Sequence, residues 1–421
     1  MRGRGLAATL LCAGAVGFVW GFFTHRDHWF PHALLRNVAD RVAARERPTD
    51  PFPMRSVRSP SPAFEDLTAL GYVDSSFDPD SDRRGVFHAQ AERSFEGLNL
   101  YSSRTARSAQ LVDMEGRVRH RWASDTTDPW QAVTLLADGR LLVIEKDRGL
   151  LALDSASRPL WRFEARVHHD LDVSGERITV LTRRDELRPD IHPSRPVVVD
   201  ELSILAADGT LVEVISLLDM LQRSPFAYLL PSLDPAADPG GDGPLDLLHT
   251  NHVQTLDGAA AALHEAFAPG NLLLCARNIN AVFVLDPGAK RVLWLWGPGT
   301  LTFPHHPQVI ESGHLLVFDN GLVASRVLEV DPLARRIVWS YAAEGFFSAT
   351  RGSAQRLPNG NTLITESDSG YALEVDPRGE TVWEFANPDV DSLGNRSAMW
   401  RVTRYAPGQL AFLDDSAPLD R

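Results

Sequence analysis

Cysteine is almost missing from this chain, with two in 421 residues. Cys12 sits in an uncharged N-terminal run and Cys275 in a hydrophobic, strand-like stretch, so the two do not pair. A disulfide framework is therefore excluded, and Cys275 reads as a small buried hydrophobe. Positive charge is short as well. Lys and Arg total 42 against 55 Asp and Glu, a net charge of −13, which argues against a nucleic-acid partner. No Gly-rich strand-to-helix motif offers a phosphate cradle. The histidine stretches at 168–169, 249–252 and 305–306 carry neither His-x-His nor Glu-x-x-His spacing, so a zinc or copper site is the weaker reading and neither a metal nor a cofactor is expected. Asp78, Asp80 and Asp82 lack the later glutamate of a calcium loop and read as a solvated acidic turn.

What is present begins with a membrane-length run. Arg2 and Arg4 precede an uncharged stretch from Gly5 to Thr24, and about 20 residues of helix just cross a bilayer core. No Ala-x-Ala cleavage site follows. The expectation is an uncleaved single-pass transmembrane helix over residues 1–25, with the remaining chain periplasmic or extracellular. Residues 26–96 read as a short helix, Pro31 to Arg47, and a Pro-, Ser- and Arg-rich linker.

From about Gly97 the chain repeats. The clearest unit runs from Ala354 through an Asn359-Gly360 turn to Ile364, then Tyr371 to Asp376, then Gly379 to Phe385 with a closing Trp383. Closing strands recur at Trp122, Trp161, Trp294 and Trp339, and without Trp at Gly209 to Val214. A spacing of about 45 residues is that of a four-stranded propeller blade. Residues 97–421 are thus expected to form an all-β, six-bladed β-propeller, with C-terminal strands completing the first blade and removing the open edge. The tryptophans read as packing between blades. Leu217 to Leu230 reads as a short amphipathic helix, and Pro231 to Pro244 as a long surface loop.

First strands of successive blades meet around the axis. Aligned on their turns, the blades bring there Trp130 and Gln131, His168 and His169, and His249, Asn251 and His252; then His305 and His306, Arg351 and Ser353, and Arg401. Neutral histidines beside arginine suit transfer of a small anionic group between oxygens. One imidazole attacks, arginine stabilises the charge that develops, and a second imidazole protonates the leaving oxygen. A non-catalytic propeller binding a ligand or protein partner at the channel mouth is the alternative from another class.

Several motifs, in order, resemble those of the bacterial PAPS-independent arylsulfate sulfotransferases. They are His168-His169-Asp170, His249-Thr250-Asn251, Ala276-Arg277-Asn278, Trp294-Leu295-Trp296-Gly297, His305-His306 and Val317 to Gly321 followed by Ser325-Arg326. The resemblance implies sulfuryl transfer from a phenolic sulfate ester to a phenol through a sulfohistidine, without a nucleotide donor. By it, His306 matches the nucleophile, His169 and His249 the proton-handling histidines, and Asn251 and Arg277 the sulfuryl-binding groups. His252, His305 and Arg351 complete the expected substrate-binding set. His305 stands where the family usually has Gln.

Overall fold

The computed structural model describes residues 74–125, 130–230 and 243–413. The expected anchor, the Pro31 to Arg47 helix, the linker and most of the Pro231 to Pro244 loop lie outside them. Among the described residues no helix is long and apolar enough to cross a membrane.

Six antiparallel sheets, each built on four sequential strands or their ring-closing equivalent, form the blades. The innermost strands of blades two to six are Ala132–Leu135, Val167–Ser174, Thr250–Thr255, His305–Val309 and Ser353–Arg356. Blade one takes its innermost strand, Met399–Tyr405, from the C-terminal part of the chain, where it pairs with Leu98–Ser103. The expected ring closure is therefore present.

Turn and packing chemistry repeat with the blades. Asp113, Asp154 and Asp376 end third strands, and each Oδ1 accepts from the backbone N–H groups two and four residues on. These are side-chain-directed turns into the closing strand. The closing-strand tryptophans reach the next blade's turns. Trp122 donates to the Gly139 carbonyl, Trp339 to Pro377 and Trp383 to Met114. At Gly209, φ is +84° and an added Cβ would lie 2.5 Å from the Trp161 ring, so only glycine fits that contact.

Amides on innermost strands tie neighbouring blades together. Gln254 bonds both the N–H and the carbonyl of Val309, and Gln355 does the same to Arg404. The short helix Leu217–Gln222 is capped by Ser216 and buries Leu217, Leu218, Met220 and Leu221.

Two findings lie upstream of the visible repeat. Gly85–Ala89 adds a fifth strand to blade six, and Ser75–Phe77 pairs with Asn395–Ser397. The acidic stretch is not a solvated turn at its first residue. Asp78 is buried, accepting from Tyr371 Oη at 2.6 Å and from the buried Arg396 Nε at 2.7 Å. The missing signal was Arg396, more than 300 residues away in the chain.

The innermost strands of blades three, four, five and one each carry a register shift near their start. His169 and His306 sit at such places with φ of 59° and 46°, and His249 has φ 50°. Left-handed backbone at a bulky non-glycine residue is costly and concentrates at functional sites.

Candidate active site

Bulges at the strand starts turn consecutive side chains to different sides, and the site histidines separate into two groups. His168, His169, His249 and His305 stand at the starts of their strands, toward the channel mouth in a propeller. His252 lies further along its strand, in ring contact with His306 and grouped with Asp170 and Arg401.

At the mouth, hydrogen bonds define the tautomers. His168 Nε2–H donates to the Thr182 carbonyl at 3.3 Å, so its Nδ1 accepts from His169 Nδ1–H at 2.7 Å. His249 Nδ1–H donates to Asp246 Oδ2 at 2.5 Å. His305 Nδ1–H donates to Asn320 Oδ1 at 2.7 Å and to the Phe303 carbonyl at 3.0 Å. The rings of His169 and His305 thus carry their proton at Nδ1. Burial, with the neighbouring positive groups, pushes His168 and His305 down to about 3 and His169 well below its ordinary value. All three are neutral at pH 7.

Arg277 is held at this rim. Its guanidinium carbon lies 4.1 Å from the Phe303 ring centroid, and Nη1 bonds Asn278 Oδ1. Its charge contributes to lowering His305. Lys146 is lowered by burial and by Arg183, outweighing the opposing Asp147, with Arg104 and Arg351 adding to the effect.

In the second group, His252 Nδ1–H donates to Asp170 Oδ2 at 2.5 Å, and Arg401 Nη2 donates to Asp170 Oδ1 at 2.7 Å. Burial alone would raise Asp170, but Arg401 and His252 outweigh it and leave the carboxyl below its usual range. The His252 and His306 rings meet at 4.7 Å between centroids. Burial, then Arg401 and His252, hold His306 far below the ordinary imidazole value, with Ala354's backbone opposing weakly.

His306 lines a cavity of about 370 Å³ together with Gln254, Gln308, Ser353, Arg401 and Thr403. Its Nε2 lies 3.5 Å from the Gln308 amide nitrogen, too long for a strong bond.

Asp170, His252 and His306 also offer ligand atoms within 4.8 Å of one another. Both Asp170 oxygens are already bound, and the Arg401 guanidinium opposes a second cation there. The trio reads as a hydrogen-bonded chain rather than a metal centre.

The remaining expected residues take other places. Asn251 donates from Nδ2 to the Pro304 carbonyl at 2.9 Å and buries Oδ1 without a hydrogen bond, so it braces the segment leading into His305 and His306. Arg351 is buried in an ion pair with Asp368 at 2.8 Å, against Trp400. Arg401 stands among the residues expected at the axis and Asp170 in the His168-His169-Asp170 motif, but neither has an expected role there, and the structure pairs them. Their sequence signals were the Asp following His169 and the Arg in the equivalent register of the last innermost strand.

The family model for Arylsulfotransferase (ASST) matches residues 132–388, more than half of the chain. The chain belongs to the arylsulfotransferase family. No curated protein matches it. Among solved structures, a protein of unknown function from Bacteroides caccae is 13% identical, with 73% of this chain and 98% of that one covered and a TM-score of 0.46. The WD40 β-propeller domain of Doa1 is 13% identical over 76% of this arylsulfotransferase-family chain and 92% of its own, at TM-score 0.43. A chain of a nidogen/laminin complex is 10% identical over 73% and 97%, at 0.46. The six blades rest on the strand pairing itself.

Proposed function

We propose that this protein transfers a sulfuryl group from an aryl sulfate to a phenol through His306. The observation that carries the reading is the state of His306. It is a buried, neutral imidazole held only by a long approach to the Gln308 amide and a weak contact with the Ala354 backbone, open to a cavity and beside an arginine. A lone pair held in that state is a nucleophile. Family membership supplies the substrate class.

In the first half-reaction the His306 Nε2 lone pair forms an N–S bond as the S–O bond to the aryl group breaks. Arg401, and Arg277 from the rim, stabilise the sulfuryl oxygens. The departing phenolate takes a proton from solvent, while Asp246 orients His249 and His168 orients His169 to take the proton of the incoming phenol. That second phenol gives up its proton and attacks sulfur, and the electron pair of the N–S bond returns to His306.

Incubation with an activated aryl sulfate is expected to release phenol in a burst and load one acid-labile sulfuryl group on His306. His306→Asn is expected to abolish burst and adduct with an unchanged circular dichroism spectrum. A wild-type protein that binds aryl sulfates without burst or adduct would instead be a binding propeller.

The same proposal places the propeller outside the cytoplasmic membrane, tethered by the uncharged run of residues 5–24. Mature protein should begin near Met1 and resist extraction from membranes by high salt. N-terminal sequencing that starts beyond Thr24 would show a cleaved leader.

A further inference from the structure

Four histidines of the channel share one hydrogen-bonding pattern. His169, His249, His252 and His305 each donate from Nδ1, to His168, Asp246, Asp170 and Asn320 respectively. His306 departs from the pattern. Its Nδ1 is buried without a hydrogen bond, and beside it His252 Nε2 is buried without one too. The two residues are 6% and 3% exposed. Because Asp170 takes the Nδ1–H of His252, that free nitrogen is an acceptor, and the donor complementary to it is an Nδ1–H on His306.

We propose that Arg401, Asp170 and His252 form a positioning chain that fixes His306 as the Nδ1–H tautomer, with its Nε2 lone pair facing the cavity. This rests on the nucleophilic reading of His306 and assigns His252 a role distinct from substrate binding. Hydrogen bonds of an empty site are commonly long and tighten when substrate binds. As the N–S bond forms, positive charge develops on the His306 ring. Its Nδ1 proton moves toward His252 Nε2, and Asp170 stabilises the imidazolium that results. When the acceptor phenolate attacks sulfur, the N–S electron pair returns to Nε2 and the proton to Nδ1. The proton taken by the departing phenolate is a separate one, from solvent. Arg401, on the innermost strand of blade one, keeps Asp170 ionised and in place.

Asp170→Asn is the direct test. An amide oriented to keep its bond to Arg401 through Oδ1 presents Nδ2–H to His252, which turns His252 into the other tautomer. The expected result is a fall in the burst rate of about 10²–10⁴, with donor KM little changed and a native circular dichroism spectrum. His252→Ala is expected to lose the burst similarly and to regain part of it with added imidazole, which a merely structural role would not allow. The groups facing this pair are Asp170, Arg401 and His305, so the pH–rate profile is read in Arg401→Lys as well, where the chain is retained. Nitrogen-15 NMR of the histidine rings in wild type and Asp170→Asn gives a readout independent of turnover. His306 protonated at Nε2 in the wild type, or loading at the wild-type rate in Asp170→Asn, overturns the proposal. Absence of any burst in the wild type, with the tautomers as stated, instead overturns the nucleophilic reading alone.

Discussion

Four neutral histidines packed out of water make the residue scale a question of protons. His168 and His305 are held near 3, and His169 and His306 well below ordinary imidazole, all chiefly by burial. An unfolded histidine titrates near ~6.5. Their folded values are depressed, so the stability tied to keeping them neutral is present above pH ~6.5 and is lost as pH falls toward 3. Asp200 runs the other way. Burial, then Asp246, raise it to about 6, so its contribution is present below its unfolded value near 3.8 and lost as pH rises through 6. Histidines outnumber it, and each full proton of difference changes stability by about 1.4 kcal/mol per pH unit. The urea midpoint is therefore expected to fall from pH 7.5 to pH 5, and His305→Gln to flatten that slope. A midpoint unchanged across this range would mean that the rings are not held neutral in the folded state.

At the scale of elements, legibility followed repetition. Closing strands were readable because a Trp and an Asp-initiated turn recur at fixed spacing, and both have a local reason: a turn to direct and a neighbouring blade to contact. Innermost strands were readable where His fell in register. The strand Gly85–Ala89 was not. It is short, lies on a blade edge and has no counterpart in other blades. The split of His305 from His306 was also hidden, because it depends on register shifts that depart from simple strand alternation. The bond between Arg401 and Asp170 spans 231 positions of sequence. It exists only once the ring has closed. Sequence could place both residues near the axis, but not facing one another.

For the whole molecule, closure and site assembly share one strand. Met399–Tyr405 completes blade one, and Arg401 and Arg404 lie on it three residues apart. Arg404 is fully buried against Glu374 of blade six, and it also donates to Asn99 Oδ1 and to the Phe95 carbonyl. Gln355 adds two bonds to the Arg404 backbone. Removing one partner of a buried ion pair leaves the other charge uncompensated, at a cost of about 3–5 kcal/mol. Arg404→Met is expected to lose that much in urea unfolding. Gln355→Ala is expected to lose roughly 1–3 kcal/mol for the backbone groups left unpaired. The two changes touch the same strand, so their effects should not add. Glu374→Leu combined with Arg404→Met should recover part of the loss, though not all, because Glu374 also accepts from Phe95 N–H and Asn361. A strand that frays withdraws Arg401 from Asp170 before the blades unfold. Under the proposed mechanism, the Arg404→Met protein should therefore lose its burst at urea concentrations where its circular dichroism is still native. Loss of burst and of secondary structure at the same urea concentration would show that closure and the site do not come apart in that order.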